Sequence, residues 1–206
     1  MPSLRFPVRI AEKVRQAECF WAVPPAYSET AILKTWSNPT GSPTQMDAGE
    51  LAVLAAQKWA TTCKFGTVAR SLAEMETLIR KDPGVEVTAM LLAGAEWFEG
   101  GLLGVCLFHR TWANNVFLDF LAANPASMNP SARISGVGTG LLYHLCGIAG
   151  HLKAATLWLE TTSGSAPYYR QIFRLPEMAD VVAVSRDHQE ILCAGLREKW
   201  RILGVT

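Results

Sequence analysis

Arg133-Ile134-Ser135-Gly136-Val137-Gly138-Thr139-Gly140 is the stretch that decides the fold. The hydrophobic run Val116–Ala123 precedes it, and an apolar helical pattern over residues 141–152 follows it. Because glycine has no Cβ, the backbone N–H groups at such a helix start stay open to a ligand. The helix start also carries partial positive charge, which binds phosphate groups without a lysine. The stretch therefore predicts a phosphate-binding turn between a strand and a helix.

Composition and charge exclude several classes of protein. The chain has 206 residues, half of them hydrophobic and seven of them tryptophan, which is too apolar for a disordered protein. The formal net charge is +1 and no basic block stands out, so no nucleic-acid partner is expected. No apolar run is long enough for a membrane span and no signal-peptide core is visible, so we expect no membrane partner and a cytoplasmic location. The five scattered cysteines predict reduced core thiols, and we expect no metal site.

Two regions differ in character, a predicted N-terminal extension over residues 1–45 and a main domain over residues 46–206. Within the extension, the polar residues 9–18 favour a helix. The extension also carries large apolar side chains that either its own domain or a second copy must cover, so a homodimer is a further expectation. These side chains are Phe20, Trp21, Val23 and Trp36.

The element order of the main domain predicts an α/β fold with a mixed sheet. One helix is expected to begin at Asp47, where Glu50 completes a capping box, and a second over residues 68–81. Short turns then join three strands, which predicts antiparallel pairing; the strands cover residues 85–97, 102–112 and Val116–Ala123. The Gly-rich helix leads to a strand over residues 155–160, which implies a parallel crossover. A short helix over residues 165–173 and a strand, Val181–Ser185, follow.

Two motifs in this order resemble the GNAT superfamily of N-acetyltransferases. The spacing Arg133-x-x-Gly136-x-Gly138 is similar to that family's phosphate loop, Gln/Arg-x-x-Gly-x-Gly/Ala. Residues 157–161 look like its next strand, and residues 165–173 look like its Asn-x-Pro-Phe-Tyr-x-x-x-Gly-Phe signature. Ser165 stands where asparagine is common, and Phe173 follows Ile172 directly, which indicates that one position of the closing Gly-Phe is deleted. The resemblance covers roughly residues 47–187.

The resemblance implies a GNAT-like acyltransferase fold and acetyl-CoA as the acetyl donor. The acceptor it implies is a primary amine of a small molecule or an amino-acid-like substrate, which attacks the thioester directly. The diphosphate of coenzyme A would lie on the turn formed by Gly136, Val137, Gly138, Thr139 and Gly140, and Arg133 would add a charged contact. The pantetheine amides would pair with an open strand edge at Leu121, Ala122 and Ala123. Ser165 and Tyr168 complete the predicted donor-binding set.

Direct attack requires a general base and a general acid. Asp119 is the first candidate for the base, because it is the only charge in an apolar strand and strict alternation places it on the face of Leu121 and Ala123. Glu96 and His109 are the alternatives. Tyr169 is the predicted acid, because a phenol with a pKa near 10 suits a thiolate leaving group. Tyr168 is the alternative in the neighbouring register.

Two other interpretations stay open at this point. A GNAT-like module that binds acyl-CoA without turnover would act as a sensor or scaffold. The Gly-rich turn would also suit a dinucleotide-binding fold, which expects an acidic residue about 20 residues later, where Glu160 lies. The antiparallel strands before the turn argue against that second interpretation.

Overall fold

A mixed sheet of eight strands is the central layer of the structure, a computed structural model that describes residues 5–37, 40–99, 101–129, 133–162, 164–177 and 180–204. The strands are β1 (Arg5–Ile10), β2 (Lys13–Trp21), β3 (Val87–Gly94), β4 (Leu102–Arg110), β5 (Val116–Ala123), β6 (Ile134–Ser135), β7 (Thr156–Glu160) and β8 (Val181–Ser185). The helices are α1 (Tyr27–Lys34), α2 (Pro43–Phe65), α3 (Leu72–Lys81), α4 (Val137–His151), α5 (Ala166–Phe173) and α6 (Arg186–Ile202).

The strand order is β6-β1-β2-β3-β4-β5-β7-β8. Strands β5 and β7 are parallel and are connected through α4, whereas the other neighbouring strands are antiparallel. The predicted α/β class, with antiparallel strands followed by a parallel strand-helix-strand crossover, is thus confirmed. The largely antiparallel sheet also excludes the doubly wound dinucleotide-binding fold, which the position of Glu160 had left as an alternative.

Each face of the sheet packs on its own set of helices. On one face, α3, α4, α5 and α6 cover a large core that includes Phe108, Leu141 and Phe173. On the other face, α1 and α2 cover a smaller core around Trp59 and Leu107. Alternate residues of β4 supply both cores, because successive side chains of a strand point to opposite faces.

The N-terminal residues belong to this sheet. Strands β1 and β2 pair with each other, β2 pairs with β3, and β1 pairs with β6, so the sheet does not follow the predicted division at residue 45. The predicted helix over residues 9–18 is wrong: Ala17 and Cys19 alternate with exposed neighbours, the two-residue period of a strand. Trp36 is buried against the protein's own core, whereas Val23 remains exposed.

Two helix starts differ from their predicted positions. Helix α2 begins at Pro43, four residues before Asp47, because Ser42 and Gln45 form the capping box and proline favours the first helical position. Helix α3 begins at Leu72, where the Ser71 side chain accepts a hydrogen bond from the Glu74 N–H. Val68, predicted to lie in this helix, instead forms a parallel bridge with Thr88.

Candidate functional site

The start of helix α4 presents unpaired backbone donors. Gly136 is the N-cap residue with φ 99°, a left-handed conformation that glycine adopts without strain, and it has no side chain that could bind the N–H groups of the first turn. The N–H groups of Val137, Gly138 and Thr139 therefore lack helical acceptors, as the first donors of any helix do. A Cβ on Gly138 would lie 3.2 Å from the Tyr168 hydroxyl oxygen, so the absence of a side chain leaves the start of α4 accessible.

Fewer N–H groups of the predicted phosphate turn are free than the sequence suggested. The N–H of Gly140 donates to the carbonyl oxygen of Gly136 at 2.9 Å and is not free for a ligand. Glycine is needed at position 140 for packing, because the ring of Phe6 in β1 occupies the place of a Cβ. The Val137 side chain is buried against Gly104 of β4.

The two polar residues predicted beside the turn lie in different settings. Arg133 is exposed and lies directly before β6, three residues ahead of Gly136 in the chain. Ser165 lies at the start of α5, where its hydroxyl accepts the Thr162 N–H at 2.9 Å and its own N–H donates to the Thr162 hydroxyl at 3.2 Å. Ser165 thus binds Thr162, which follows β7, at the start of α5.

Strands β5 and β7 separate beside this turn. Their ladder pairs Val116 with Leu157 and ends where Leu118 pairs with Leu159. Strand β5 continues to Ala123 while paired only with β4. Among the described residues, the β7-facing edge of residues 119–123, which includes Leu121, Ala122 and Ala123, has no strand partner. An extended ligand can add to such an edge as a short strand would.

A β-bulge at Asp119 overturns the predicted strand face. Leu107 pairs with Phe120 and Phe108 pairs with Leu118, so Asp119 is the extra residue of β5. Leu121 packs in the core on the α4 side, whereas Asp119 contacts Lys58 of α2. Asp119 therefore lies on the face opposite Leu121 and Ala123, because an inserted residue shifts the alternation by one.

Asp119 is the centre of a three-residue cluster on the α2 side. Its Oδ1 atom lies 2.7 Å from Nζ of Lys58, and its Oδ2 atom lies 3.0 Å from Nδ1 of His109. The Asp119 side chain is only 5% exposed, so the two partners compensate a nearly buried charge. The His109 ring stacks on Phe117, with centroids 5.4 Å apart. When Nδ1 carries the proton and donates it to Asp119, Nε2 of His109 is left as a proton acceptor.

No sequence pattern indicated Lys58, and Glu96, an alternative candidate for the base, lies elsewhere in the structure. Lys58 lies 61 positions before Asp119 on a different element, and no local pattern links the two. Glu96 lies in a separate depression that Arg5, Gln16 and Trp97 also line, and the structure does not bring it to Asp119.

The two tyrosines of α5 face different surroundings. The Tyr168 hydroxyl lies 3.3 Å from Oγ1 of Thr139, at the open start of α4, and burial raises the pKa of Tyr168 to about 12. Tyr169 is buried in the α4-side core and stacks on Phe173, and burial raises the pKa of its phenol well above the usual value. Both phenols are therefore protonated at neutral pH, and each is a weaker acid than a free phenol.

The end of α5 corrects the inferred deletion. Arg174 caps the helix in the left-handed conformation, with φ 53°, which is the conformation that a closing glycine takes most easily. Leu175 then packs against the core. Counted from Ser165, the closing Gly-Phe would fall on Phe173 and Arg174, so the left-handed Arg174 and the packed Leu175 take these two roles one position later, and no residue is deleted here.

The cysteines behave as the predicted core thiols where the structure buries them. All five are free. Burial raises the pKa of the Cys106 thiol, and the pKa of the Cys146 thiol is raised by its side-chain contact with Cys193 and then by burial. No group of three or more potential ligands capable of holding a metal occurs among the described residues. Within the same residues, no helix has the length and apolarity needed to cross a bilayer.

Comparison with known proteins gives similarity in structure only. No family model and no curated protein matches the chain. Nourseothricin acetyltransferase is 21% identical over 44% of this chain, with a TM-score of 0.35, and the match spans about half (49%) of that protein's length. A GNAT family acetyltransferase from Brucella melitensis in complex with acetyl-CoA is 16% identical over 82% of this chain and 87% of its own, with a TM-score of 0.45.

A GNAT family acetyltransferase from Staphylococcus aureus is 10% identical over 81% of this chain and 95% of its own, with a TM-score of 0.47. The solved structures that resemble this chain therefore include members of the family whose motifs the sequence resembles. Because these identities and TM-scores are low, the assignment of a function depends on the geometry of the site.

Proposed function

We propose that the protein is an acetyl-CoA-dependent N-acetyltransferase of the GNAT type that acts on a primary amine of a small molecule. One observation carries the proposal: the β5 edge after Leu118 lies beside the start of α4, since a Cβ on Gly138 would be 3.8 Å from Cδ2 of Leu121. Unpaired amides at a helix start suit a diphosphate, and an open strand edge suits the amides of pantetheine. Few other ligands combine both groups.

The donor would be held by backbone groups and by two side chains. The N–H groups of Val137, Gly138 and Thr139 would bind phosphate oxygens, and the exposed Arg133, three residues before Gly136 in the chain, would add a cationic side chain. Tyr168 borders the start of α4 on one side, where its hydroxyl contacts Thr139. Main-chain groups of Leu121, Ala122 and Ala123 would bind the pantetheine arm, and one of their amides would polarise the thioester carbonyl.

The base in this proposal is His109, with Asp119 holding its ring. Asp119 was the first candidate from sequence, but Lys58 and His109 already bind its carboxylate oxygens. A His109 ring that donates Nδ1–H to Asp119 keeps Nε2 free to take the proton of the attacking amine. The Asp119 carboxylate then stabilises the resulting imidazolium, while Lys58 fixes the carboxylate.

Tyr169 is the proposed general acid, as in the sequence-based prediction. Acetyl-CoA supplies an activated thioester, and its departing sulfur needs a proton. Tyr169 lies in the core with Cys106 of β4 nearby, whereas Tyr168 contacts Thr139 at the start of α4. Burial raises the pKa of the Tyr169 phenol well above its usual value, so the proton transfer requires that the departing thiolate is also desolvated and therefore more basic than a free thiolate.

Two measurements on the full chain test the proposal. Calorimetric titration with acetyl-CoA should show binding, and a thiol-release assay with a panel of small primary amines should show turnover. Tight binding with no turnover on any amine would favour the non-catalytic acyl-CoA sensor, and absence of binding would remove both functions. A homodimer and a cytoplasmic location stay predictions, and an elution volume measured with light scattering would test the first.

A further inference from the structure

A second cavity lies on the α4 side of the sheet, away from the start of α4. Its volume is about 380 Å³, which falls within the range of pockets that bind small molecules. Strands β2 and β3 form its floor, and helices α3, α4 and α6 form its sides. Its wall includes Trp21, Leu91, His144, Gly147, Ile148 and Arg197.

This cavity is separate from the proposed donor site. Gly147 lies ten residues after Val137 in the same helix, which corresponds to about 15 Å at 1.5 Å per residue. None of the residues that line the cavity belongs to β5, β7 or α5, the elements around the open strand edge. A molecule bound here would therefore not compete with acetyl-CoA for the same groups.

Gly147 keeps the cavity open. A Cβ at this position would meet no heavy atom within 4 Å, so close packing does not require a glycine here. Glycine inside a helix lowers its stability relative to alanine, because it costs more backbone entropy on folding. The missing side chain thus leaves space that any larger residue would fill.

His144 contributes a buried ring to the wall of the cavity. Its Nε2 atom is shielded from solvent and has no hydrogen-bond partner among the described residues. Burial lowers the pKa of His144 to about 4, so the ring is neutral at physiological pH. Its neighbours Trp21, Leu91 and Ile148 are apolar, so this part of the cavity suits an uncharged and mostly hydrophobic group.

Arg197 places an uncompensated positive charge at the rim. Its Nε atom donates to the carbonyl oxygen of Cys193 at 3.2 Å, and no carboxylate of the described residues forms an ion pair with its guanidinium. His151, also at the rim, is instead paired with Glu76 at 2.9 Å. A guanidinium beside an apolar cavity is well suited to a carboxylate with a hydrophobic body.

We propose that this cavity binds a small amphipathic carboxylate. Its apolar body would lie against Trp21, Gly147 and Ile148, and its carboxylate would contact Arg197. The proposal does not depend on the acetyltransferase function, because its residues and its test involve neither acetyl-CoA nor turnover.

Calorimetric titration of the full chain with octanoate tests the proposal, with 1-octanol as the neutral probe of equal length. Octanoate should bind more tightly than 1-octanol. Arg197→Gln should weaken octanoate binding about tenfold and leave 1-octanol binding unchanged, since only the carboxylate uses the charge. Gly147→Leu fills the cavity and should abolish binding of both probes.

Gly150→Leu is the matched control. Gly150 lies in the same helix, its Cβ would also meet no atom within 4 Å, and it does not line the cavity. This variant should therefore bind octanoate as the unaltered protein does, with a similar thermal unfolding midpoint to Gly147→Leu. Failure of octanoate to bind, equal binding by Gly147→Leu and Gly150→Leu, or equal affinity for octanoate and 1-octanol would each overturn the proposal.

Discussion

The Nζ atom of Lys58 lies 2.7 Å from Oδ1 of Asp119 and joins the middle of α2 to the β-bulge of β5. Asp119 also contacts His109 through both carboxylate oxygens, at 3.1 and 3.0 Å. A nearly buried carboxylate with two such partners is better suited to orienting a ring than to taking a proton itself. This relationship changes the assignment of the base from Asp119 to His109.

His109→Gln should therefore lower kcat by about 10²- to 10⁴-fold, the usual effect of losing a general base, while the Kd for acetyl-CoA stays the same. Steady-state kinetics and calorimetry on the same preparation would measure both quantities. Lys58→Met should have a smaller effect, since it removes only a contact to the orienting carboxylate. If His109→Gln were as active as the unaltered protein and Asp119→Asn were inactive, Asp119 would be the base.

Substitution of the two tyrosines should separate donor binding from acid catalysis. Tyr169→Phe should slow turnover about a hundredfold and leave the Kd for acetyl-CoA almost unchanged, because only the proton donor is lost. Tyr168→Phe should mainly weaken acetyl-CoA binding, since Tyr168 contacts Thr139 at the phosphate turn. The reverse pattern would assign the acid to Tyr168.

Gly138→Leu should weaken acetyl-CoA binding at least about tenfold. The new side chain would begin 3.2 Å from the Tyr168 hydroxyl and would fill the mouth of the helix. Isothermal titration gives the affinity, and Gly150→Leu provides a glycine substitution elsewhere in α4 that leaves the mouth open. Unchanged affinity in Gly138→Leu would exclude this turn as the phosphate site.

Arg174→Gly should stabilise the protein. The backbone of Arg174 is left-handed, and this conformation costs a residue with a Cβ about 1–2 kcal/mol. Glycine avoids that cost, but part of the gain is offset because glycine loses more conformational entropy on folding. We expect a net gain of up to about 1 kcal/mol, or about 2–4 °C in Tm for a chain of this size. Arg170→Gly, within the same helix, should lower Tm instead. A lower Tm for Arg174→Gly would show that the Arg174 side chain contributes more than its backbone costs.

His144 should make the protein less stable in acid. Burial lowers the pKa of His144 from 6.5 to about 4, so the unfolded chain binds a proton between these values that the folded chain does not bind. The free energy of unfolding should therefore fall as pH falls through this window, by about 2 kcal/mol between pH 7 and pH 5. Urea titrations at the two pH values measure the change, and His144→Leu should reduce it. An equal pH dependence in both proteins would contradict the assignment.

Local patterns predicted much of the fold correctly, because they depend on neighbours in the chain. Strands Val116–Ala123 and Val181–Ser185 were predicted with the bounds that the structure shows, since each is an apolar run limited by polar residues. The parallel crossover and the open helix start also followed from local sequence. Strand β2 was missed because its charged residues resembled a polar helix, although Ala17 and Cys19 alternate as strand residues do.

The details of the site depended on distant contacts and were harder to predict. The bulge at Asp119 is a property of the β4–β5 pairing, and an assumed period of two placed its carboxylate on the wrong face. The contact with Lys58 joins two elements whose packing no local pattern records. The choice between Tyr168 and Tyr169 likewise depends on how α5 meets α4.

The pairing of Arg9 with Ser135 joins the first strand of the chain to the two residues immediately before Gly136. Phe6 of that strand also fills the space left by Gly140. During synthesis β1 can pair with β2 early, but its pairing with β6 must wait until residue 135 has emerged. Contacts of such long range form slowly, so the turn proposed to hold a diphosphate should be among the last parts of a newly made molecule to reach its final form.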